Sequence, residues 1–227
     1  MKDNISENKT ARAVVLNVLA ASAALFGYGF GVYLTILADI GAGPWDVFSL
    51  GLSKTLGILY GNASIIVSVT ILVIDVLMRE PIGIAMFIDA VVVGKAVDFF
   101  NFVDLIHAPQ SVWQSVALML AGIVIEGYAQ YFYMRTALGC GPRDTLLVAL
   151  DKRLRRVPIG AISVALLALA TFIGWLLGGK VGIGTLICAF ATGPIMQLAF
   201  RTVRFDAAAV RHQNLIESAR VLAGRLK

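Results

Sequence analysis

Six long apolar runs limit this chain to one class of fold. They occupy, approximately, residues 13–37, 62–78, 82–103, 113–138, 159–177 and 181–200. At about 1.5 Å per residue in a helix, each run is long enough to cross a hydrocarbon core of about 30 Å. The runs are continuous and lack the alternation of apolar and polar residues that is typical of transmembrane barrels. The sequence therefore predicts an all-α polytopic membrane protein with six transmembrane helices.

The composition agrees with a membrane protein and argues against an enzyme. Hydrophobic residues make up 59% of the chain, charged residues 15%, and the mean hydropathy is +0.84, values at which a water-soluble domain could not cover its surface. Cys140 lies at a span end and Cys188 inside a span, so neither a disulfide framework nor a metal site is indicated. His107 and His212 lie far apart in flanking segments, which argues against a histidine-ligated metal. No nucleotide-binding or hydrolase motif stands out. We expect no cofactor, no metal and no catalytic residue.

The distribution of Lys and Arg predicts the orientation. With the N-terminus in the cytoplasm, 15 of the 19 basic residues, Arg143 among them, fall in cytoplasmic segments, whereas only Lys54 and Lys180 fall outside. The remaining two, Lys95 and Arg135, lie within spans. This asymmetry follows the positive-inside rule and places both termini in the cytoplasm. It also accounts for the net charge of +5, so we predict no binding to nucleic acid.

The stretch 41-GAGPWDVFSLGLSKTLG-57 is repeated in altered form as 139-GCGPRDTLLVALDKRLR-155. Further matches at offsets of 98 and 99 divide the chain into two copies, residues 13–103 and 113–204, joined by an external linker over 104–112. Because each copy contains three spans, the second must enter the membrane from the opposite side. The sequence predicts an inverted repeat, flanked by a cytoplasmic tail over residues 1–12 and a cytoplasmic amphipathic tail over 205–227.

Each copy of the repeated motif has the features of a helix start. Glycines permit tight turns, Pro fits the first helical position, and an early Asp complements the positive end of a helix. The motif residues are Gly41, Gly43, Pro44 and Asp46 in the first copy, and Gly139, Gly141, Pro142 and Asp144 in the second. We predict short helices from Trp45 to Leu56 and from Arg143 to Leu154, either lying on the membrane surface or re-entrant. Asp46 and Asp144 are expected near opposite faces of the bilayer.

The paired motifs, together with 82-IGIAMFID-89, 181-VGIGTLIC-188 and 193-GP-194, resemble the YczE/YyaS/YitT family of bacterial integral membrane proteins. The resemblance runs from about residue 14 to 204. It implies a polytopic protein of the bacterial inner membrane that is often treated as a transporter. It implies no established substrate and no set of catalytic residues.

Four ionisable residues within the spans are candidates for a substrate or proton pathway: Asp89, Lys95, Asp98 and Glu126. Charges at bilayer depth are costly and tend to face a cavity or a partner. In the structural interpretation, Lys95 pairs with Asp98, Asp75 pairs with Arg79 as an i,i+4 pair, and Glu126 is protonated or bonded to Lys95. In the functional interpretation, Glu126 and Asp89 lie near the midplane, and one of them carries a coupling proton or contacts a cationic group. Both interpretations remain open at this point.

The functional hypothesis is a secondary transporter or permease for a small solute in the bacterial inner membrane, with proton coupling through the intramembrane carboxylates as one mechanism. Two alternatives belong to other classes: a substrate-binding membrane subunit of a partnered ATP-driven importer, and a regulatory or scaffold protein that transports nothing. In these alternatives residues 141–156 or the C-terminal tail would bind a cytoplasmic protein partner. The tail places Leu215, Ala219, Leu222 and Leu226 on one helical face, as an interfacial helix would.

Overall fold

A computed structural model describes residues 10–223 of the chain. Within that range every regular element is a helix. The helices are α1 (Ala11–Leu37), α2 (Pro44–Leu56), α3 (Tyr60–Leu77), α4 (Ile84–Val103), α5 (Val112–Arg135), α6 (Pro142–Arg153), α7 (Ile159–Leu176), α8 (Ile183–Thr202), a 3₁₀ turn (Ala207–Ala209) and α9 (Leu215–Leu222). The predicted all-α class is confirmed.

Five of these helices, α1, α3, α5, α7 and α8, are long and apolar enough to cross a membrane. The predicted third span corresponds to α4, which is 20 residues long and carries Asp89, Lys95 and Asp98. Its length suits a span, but its three charges set it apart from the other five.

The two short helices begin at the repeated motif. Pro44 and Pro142 occupy the first helical positions, where a missing N–H costs no hydrogen bond, and Asp46 and Asp144 lie in the first turns. α2 ends at Gly57, whose φ of 64° gives the left-handed conformation that glycine adopts without strain. The predicted bounds of both helices agree with the structure to within one residue.

The order long, short, long, long occurs twice, and the packing follows the same order. α1 packs against α4 as α5 packs against α8, and α2 packs against α7 as α6 packs against α3. α1 and α5 also pack on each other, with glycines at the contact: a Cβ on Gly122 would lie 2.7 Å from the Gly31 carbonyl oxygen. Exchanging the first four helices for the next four maps each of these contacts onto another in the set.

The described ends of the chain lie together on one face of the bundle, called here the terminal face. The backbone N–H of Leu215 donates to the Ile82 carbonyl (2.6 Å), and that of Gln213 donates to the Ala137 carbonyl (2.8 Å). Val221 of α9 packs in the same apolar cluster as Val14 of α1. The predicted tail helix therefore forms over Leu215–Leu222 only. Leu226 lies outside the described residues, as do residues 1–9 of the predicted N-terminal tail.

On the opposite face of the bundle, other loops make the contacts between helix ends. The N–H of Gly184 donates to the Ile40 carbonyl (2.8 Å), which fixes the start of α8 beside the chain that follows α1. The Lys54 ammonium group donates to the Gly178 carbonyl at 3.5 Å, which fixes the end of α2 beside the end of α7.

One pair of contacts is not shared by the two halves. Gly61 of α3 and Gly94 of α4 are in such close contact that a Cβ on Gly94 would lie 2.7 Å from the Gly61 carbonyl oxygen. The matching residues of the second half are Gly160 of α7 and Gly193 of α8, and a Cβ on either would have no atom within 4 Å. α3 and α4 are therefore packed together, whereas α7 and α8 leave space at the corresponding positions.

Candidate functional site

A cavity of about 210 Å³ lies in the bundle interior. α5 and α8 supply much of its wall through their halves nearer the terminal face, α6 contributes its first turn, and α1, α3 and α4 supply the rest. Its lining is rich in ionisable and polar side chains for the interior of an apolar protein. The polar lining residues are Tyr28, Ser64, Ser68, Asp89, Glu126, Gln130, Tyr133, Arg143, Asp144 and Thr192.

The first turns of α2 and α6 approach each other at this cavity. The guanidinium carbon of Arg143 lies 5.5 Å from the centre of the Trp45 ring, within the range of a cation–π contact. Our expectation of Asp46 and Asp144 at separate membrane faces is therefore wrong for the helix starts, which share one interior site. Arg143, which we counted with the cytoplasmic surface charges, lines the cavity instead.

Arg143 interacts electrostatically with acidic groups from four helices but forms no ion pair with any carboxylate among the described residues. Its charge acts on the carboxylates of Asp46 and Asp144 in the short helices, and on those of Asp89 and Glu126 in α4 and α5. Four carboxyl groups therefore face one guanidinium group. Since a buried site tolerates little uncompensated charge, the arrangement has room for protons or for an additional cation.

The four carboxyl groups differ in their partners. Asp46 accepts a hydrogen bond from the Tyr60 hydroxyl (2.8 Å), and Asp144 accepts a long one from the Gln130 amide (3.5 Å). Asp89 and Glu126 have neither a hydrogen bond nor an ion pair with any residue in the described range. Glu126 is only 9% exposed, and that exposure is to the cavity. These two carboxyl groups are thus free to bind a proton or a ligand.

Glycines make room for both unpartnered carboxyl groups. A Cβ on Gly31 of α1 would lie 2.7 Å from the Glu126 Cγ, and a Cβ on Gly141 would lie 3.0 Å from the Asp89 Oδ2. Gly141 belongs to the repeated motif, so the small residue that precedes Pro142 also allows α6 to start beside Asp89. The motif therefore contributes to the site as well as to the helix start.

The structure separates the four candidates from the sequence into two groups. Asp89 and Glu126 line the same cavity. Lys95 is exposed and donates to the Asn62 side chain (2.7 Å), while Asp98 accepts from the backbone N–H of Gly61 (2.8 Å). The predicted Lys95 pairs with Asp98 and with Glu126 therefore do not form.

Asp98 acts as a helix cap from a neighbouring helix. The first N–H groups of a helix lack partners within it, and Leu59, which precedes α3, cannot supply a side-chain acceptor. Asp98 of α4 fills this role across the close contact between Gly61 and Gly94. Together with the hydrogen bond from Lys95 to Asn62, it joins α3 to α4 near the opposite face.

The predicted pair of Asp75 and Arg79 is also absent. Arg79 is exposed, whereas Asp75 is wholly buried and neither of its carboxylate oxygens has a hydrogen-bond partner. Arg79 has a φ of 58°, so the helix has already ended there and the i,i+4 geometry assumed for the pair does not exist.

An ion cluster ties α6 to the terminal face. Lys152 and Arg153 both contact the largely covered carboxylate of Glu80, and Arg153 also donates to the Met78 carbonyl. The hydrogen bond from Lys152 is the main reason that the pKa of Glu80 lies below its ordinary value. Lys152 corresponds to Lys54 in the repeat, so the end of each short helix is held by a lysine at the matching position.

Arg143 and the tyrosines were missed as site residues. The alignment of Trp45 with Arg143 was the available signal, since a motif shared at four of six positions differs there by a charge. Tyr28, Tyr60 and Tyr133 gave no signal because isolated aromatic residues are common in membrane spans. Among the residues described, no three His, Cys, Asp or Glu side chains are grouped as metal ligands.

Comparison with known proteins assigns the sequence to a family. The model of a family described as "Family of unknown function (DUF6198)" matches residues 15–201. The chain belongs to this family. Membership covers α1 to α8 almost completely, and so includes both motifs and the cavity.

Similar proteins are found in two bacteria. The "Uncharacterized membrane protein YczE" of Bacillus subtilis is 31% identical over 179 residues, 78% of this chain and 82% of the relative. The "Uncharacterized protein YyaS" of the same organism is 28% identical over 173 residues, 74% of this chain and 84% of the relative. An "Uncharacterized protein" of Haemophilus influenzae is 26% identical over 188 residues, 83% and 84% of the two chains. The predicted resemblance to YczE and YyaS is confirmed, and so is the prediction of a membrane protein. No solved structure matches the chain.

Proposed function

We propose that this membrane protein is a secondary transporter for a small cationic solute. The observation that carries the proposal is the cavity in which Glu126 and Asp89 lie unpartnered beside Arg143. Carboxyl groups at this depth are costly, and proteins retain them chiefly where they bind ions, protons or substrates. With four carboxyl groups for one guanidinium group, a cation or a set of protons balances the charge. The solute is moved without chemical change, so the protein is not an enzyme.

The transport hypothesis includes six spans in two inverted repeats. α4 is the sixth span, with its charges turned to the cavity and to α3. The symmetric exchange of helix contacts supports the repeat, and two short helices that begin at a central site are typical of transporters of this kind. The terminal face is cytoplasmic in this hypothesis because it carries most of the Lys and Arg residues.

The unequal packing of the two halves supports alternating access. α3 and α4 are joined at Gly61 and Gly94, which closes the bundle toward the opposite face. α7 and α8 are apart at Gly160 and Gly193, on the side of the terminal face. In this hypothesis the halves are two copies of one fold, so each can adopt the packing of the other. The exchange would close the cytoplasmic side and open the external side.

Protons are the expected coupling ion. Glu126 and Asp89 can each take a proton when the solute is absent and lose it when a cationic group binds, so that solute and proton exchange at one site. This exchange keeps the charge of the cavity nearly constant through the cycle, which limits the cost of exposing it alternately to the two sides.

The test uses purified protein in liposomes and measures charge movement on a solid-supported membrane. A panel of small amines, matched in size with neutral and anionic solutes, is applied with and without a pH gradient. We expect currents for at least one amine, their loss in Glu126→Gln, and their retention in Glu217→Gln, which makes the same change in α9 at the terminal face.

Three outcomes contradict the proposal. Currents for anions alone overturn the cationic substrate, and equal currents in Glu126→Gln remove the cavity carboxylate from the mechanism. Silence across the panel, combined with a stoichiometric ATPase on copurification from the native membrane, identifies the subunit of a partnered importer instead.

A further inference from the structure

Asp75 of α3 is a buried acid to which the cavity mechanism assigns no role. Its side chain is 0% exposed, and both carboxylate oxygens lack a hydrogen-bond partner. It lies between Ile71 and Met78 on the stripe of α3 that packs against Leu146 and Leu150 of α6. A helical spacing of three and four residues places all of these on one face, so Asp75 is enclosed between α3 and α6.

The matching position in the other half shows that this interface does not require an acid. Gly174 of α7 corresponds to Asp75, and it packs so closely on α2 that a Cβ would lie 2.5 Å from the backbone of Phe48. A glycine therefore suffices where the same two elements meet near the opposite face. The carboxyl group is specific to the interface near the terminal face.

We propose that Asp75 is a proton-binding site that controls the docking of α6 on α3. The carboxyl group is neutral while α6 covers it, because an ionised carboxylate without a partner is unstable in an apolar interface. When α6 moves away, the group meets water, and its proton passes to solvent at the terminal face. Ionised Asp75 then opposes the return of α6 until it takes up a proton again.

The charged groups around α3 leave Asp75 without a compensating cation. Among residues 10–223, the group that acts on it electrostatically is Glu80, which has the same sign. In α6, Lys152 and Arg153 contact Glu80, Arg143 and Asp144 face the cavity, and Asp151 is another acid and is partly exposed. In α4, Asp89 faces the cavity, while Lys95 and Asp98 contact the first turn of α3. Asp46 and Lys54 of α2 contact Tyr60 and Gly178, and Arg79 is exposed.

The position of α6 also determines the cavity, because its first turn carries Arg143 and Asp144. The face of α3 that holds Asp75 carries Ser64 and Ser68 toward the cavity as well. A proton on Asp75 would thus favour the present arrangement of the cavity, and its loss would favour another. This connection to transport rests on the proposed function, whereas the proton site itself does not.

Thermal unfolding of the detergent-purified protein tests the site without a substrate. A proton bound more tightly in the folded than in the unfolded state stabilises at low pH, and this stabilisation is lost as the pH rises. We therefore expect Asp75→Asn to approach the wild type only near pH 3.5, where the unfolded carboxyl group is protonated too, and to unfold about 5 °C higher at pH 8.5. Asp39→Asn, which removes an exposed carboxylate paired with Lys180, should leave the pH dependence of the wild type unchanged. An Asp75→Asn effect that is the same at both pH values overturns the proton site.

Thiol labelling tests the docking of α6. In a background with Cys140 and Cys188 replaced by Ser, Ala149→Cys places a single thiol on the buried side of α6. We expect labelling at pH 8.5 to exceed that at pH 5.5 at least threefold after correction for the thiolate fraction, and Asp75→Asn to abolish the difference. Equal pH dependence with and without Asp75 overturns the proposal. If both tests succeed and no solute is transported, the proton site stands and the transport function fails.

Discussion

Arg143 lies over Trp45, with its guanidinium carbon 5.5 Å from the ring centre, and the two residues occupy the same position in the two copies of one motif. The contact therefore links the two copies of the motif across the interior of the bundle. It also holds the only cation among the cavity-lining residues described at the point where the two short helices begin.

The pair leads to a prediction about stability. Arg143→Ala leaves four carboxyl groups without their cation and should lower the free energy of unfolding by about 3 kcal/mol. Trp45→Ala should cost less than Arg143→Ala, and Trp45→Phe should retain most of the stability because a Phe ring still offers a face to the guanidinium group. Thermal unfolding in detergent ranks the three variants. If Arg143→Ala melted at the wild-type temperature, the burial of the four carboxyl groups would not depend on the Arg143 charge.

Cross-linking can compare the two helix pairs that differ between the halves. In a background with Cys140 and Cys188 replaced by Ser, Asn62→Cys with Lys95→Cys should cross-link efficiently with a short bifunctional thiol reagent, because these side chains are in contact. The matching double variant, Ala161→Cys with Pro194→Cys, should cross-link poorly at rest. A change of pH or an added solute that raises the second yield should lower the first. Equal yields at rest would contradict the asymmetry of the structure.

The cap on α3 has a matched control in the other half. Asp98→Ala removes the acceptor for the Gly61 N–H and should destabilise the protein by about 1 kcal/mol. Gln197→Ala makes the corresponding change at the end of α8, where no contact to Gly160 exists, and should cost less than half as much. Chemical denaturation of the two variants measures the difference. Lys95→Ala should not be rescued by Asp98→Asn, because the two residues have separate partners.

Glu80 gives a pH dependence opposite in sign to that expected for Asp75. Its folded pKa is lowered by Lys152, so its contribution to stability is present above the unfolded value near 4.5 and is lost as the pH falls through the folded value. Glu80→Gln should therefore unfold at a lower temperature than the wild type at pH 7. As the pH falls below 4.5 and through the folded value, the two melting curves should approach each other. A deficit that persists to the lowest pH would assign the effect to packing.

The orientation can be tested in intact cells with an impermeant thiol reagent. With both native cysteines replaced by Ser, single cysteines at Ser53 and Gln110 should react, and single cysteines at Arg155 and Arg220, both exposed on the terminal face, should not. The reason is the excess of Lys and Arg on the terminal face. Reaction at Arg155 from outside would reverse the orientation and with it the direction of every gate discussed above.

The helices and their starts were predictable, because apolar length and the Gly-x-Gly-Pro-x-Asp spacing act locally. The positions of charged side chains were less so. Counting Arg143 with the surface charges assumed that a loop in the sequence lies at the membrane surface, whereas the chain returns inward before α6 begins. The pairing of Lys95 with Asp98 followed from helix geometry alone, and it failed because the first turn of α3 supplied a better donor for Asp98.

A Cβ added to Gly160 or Gly193 would have no atom within 4 Å, whereas their counterparts Gly61 and Gly94 are in close contact. A Cβ at either open position meets open space in the present arrangement, whereas in the alternative arrangement of the proposed transport cycle it would face the close contact now made by Gly61 and Gly94. Gly160→Leu should therefore hold the protein in a single conformer. Crystallisation and single-particle imaging of a small membrane protein require such a sample.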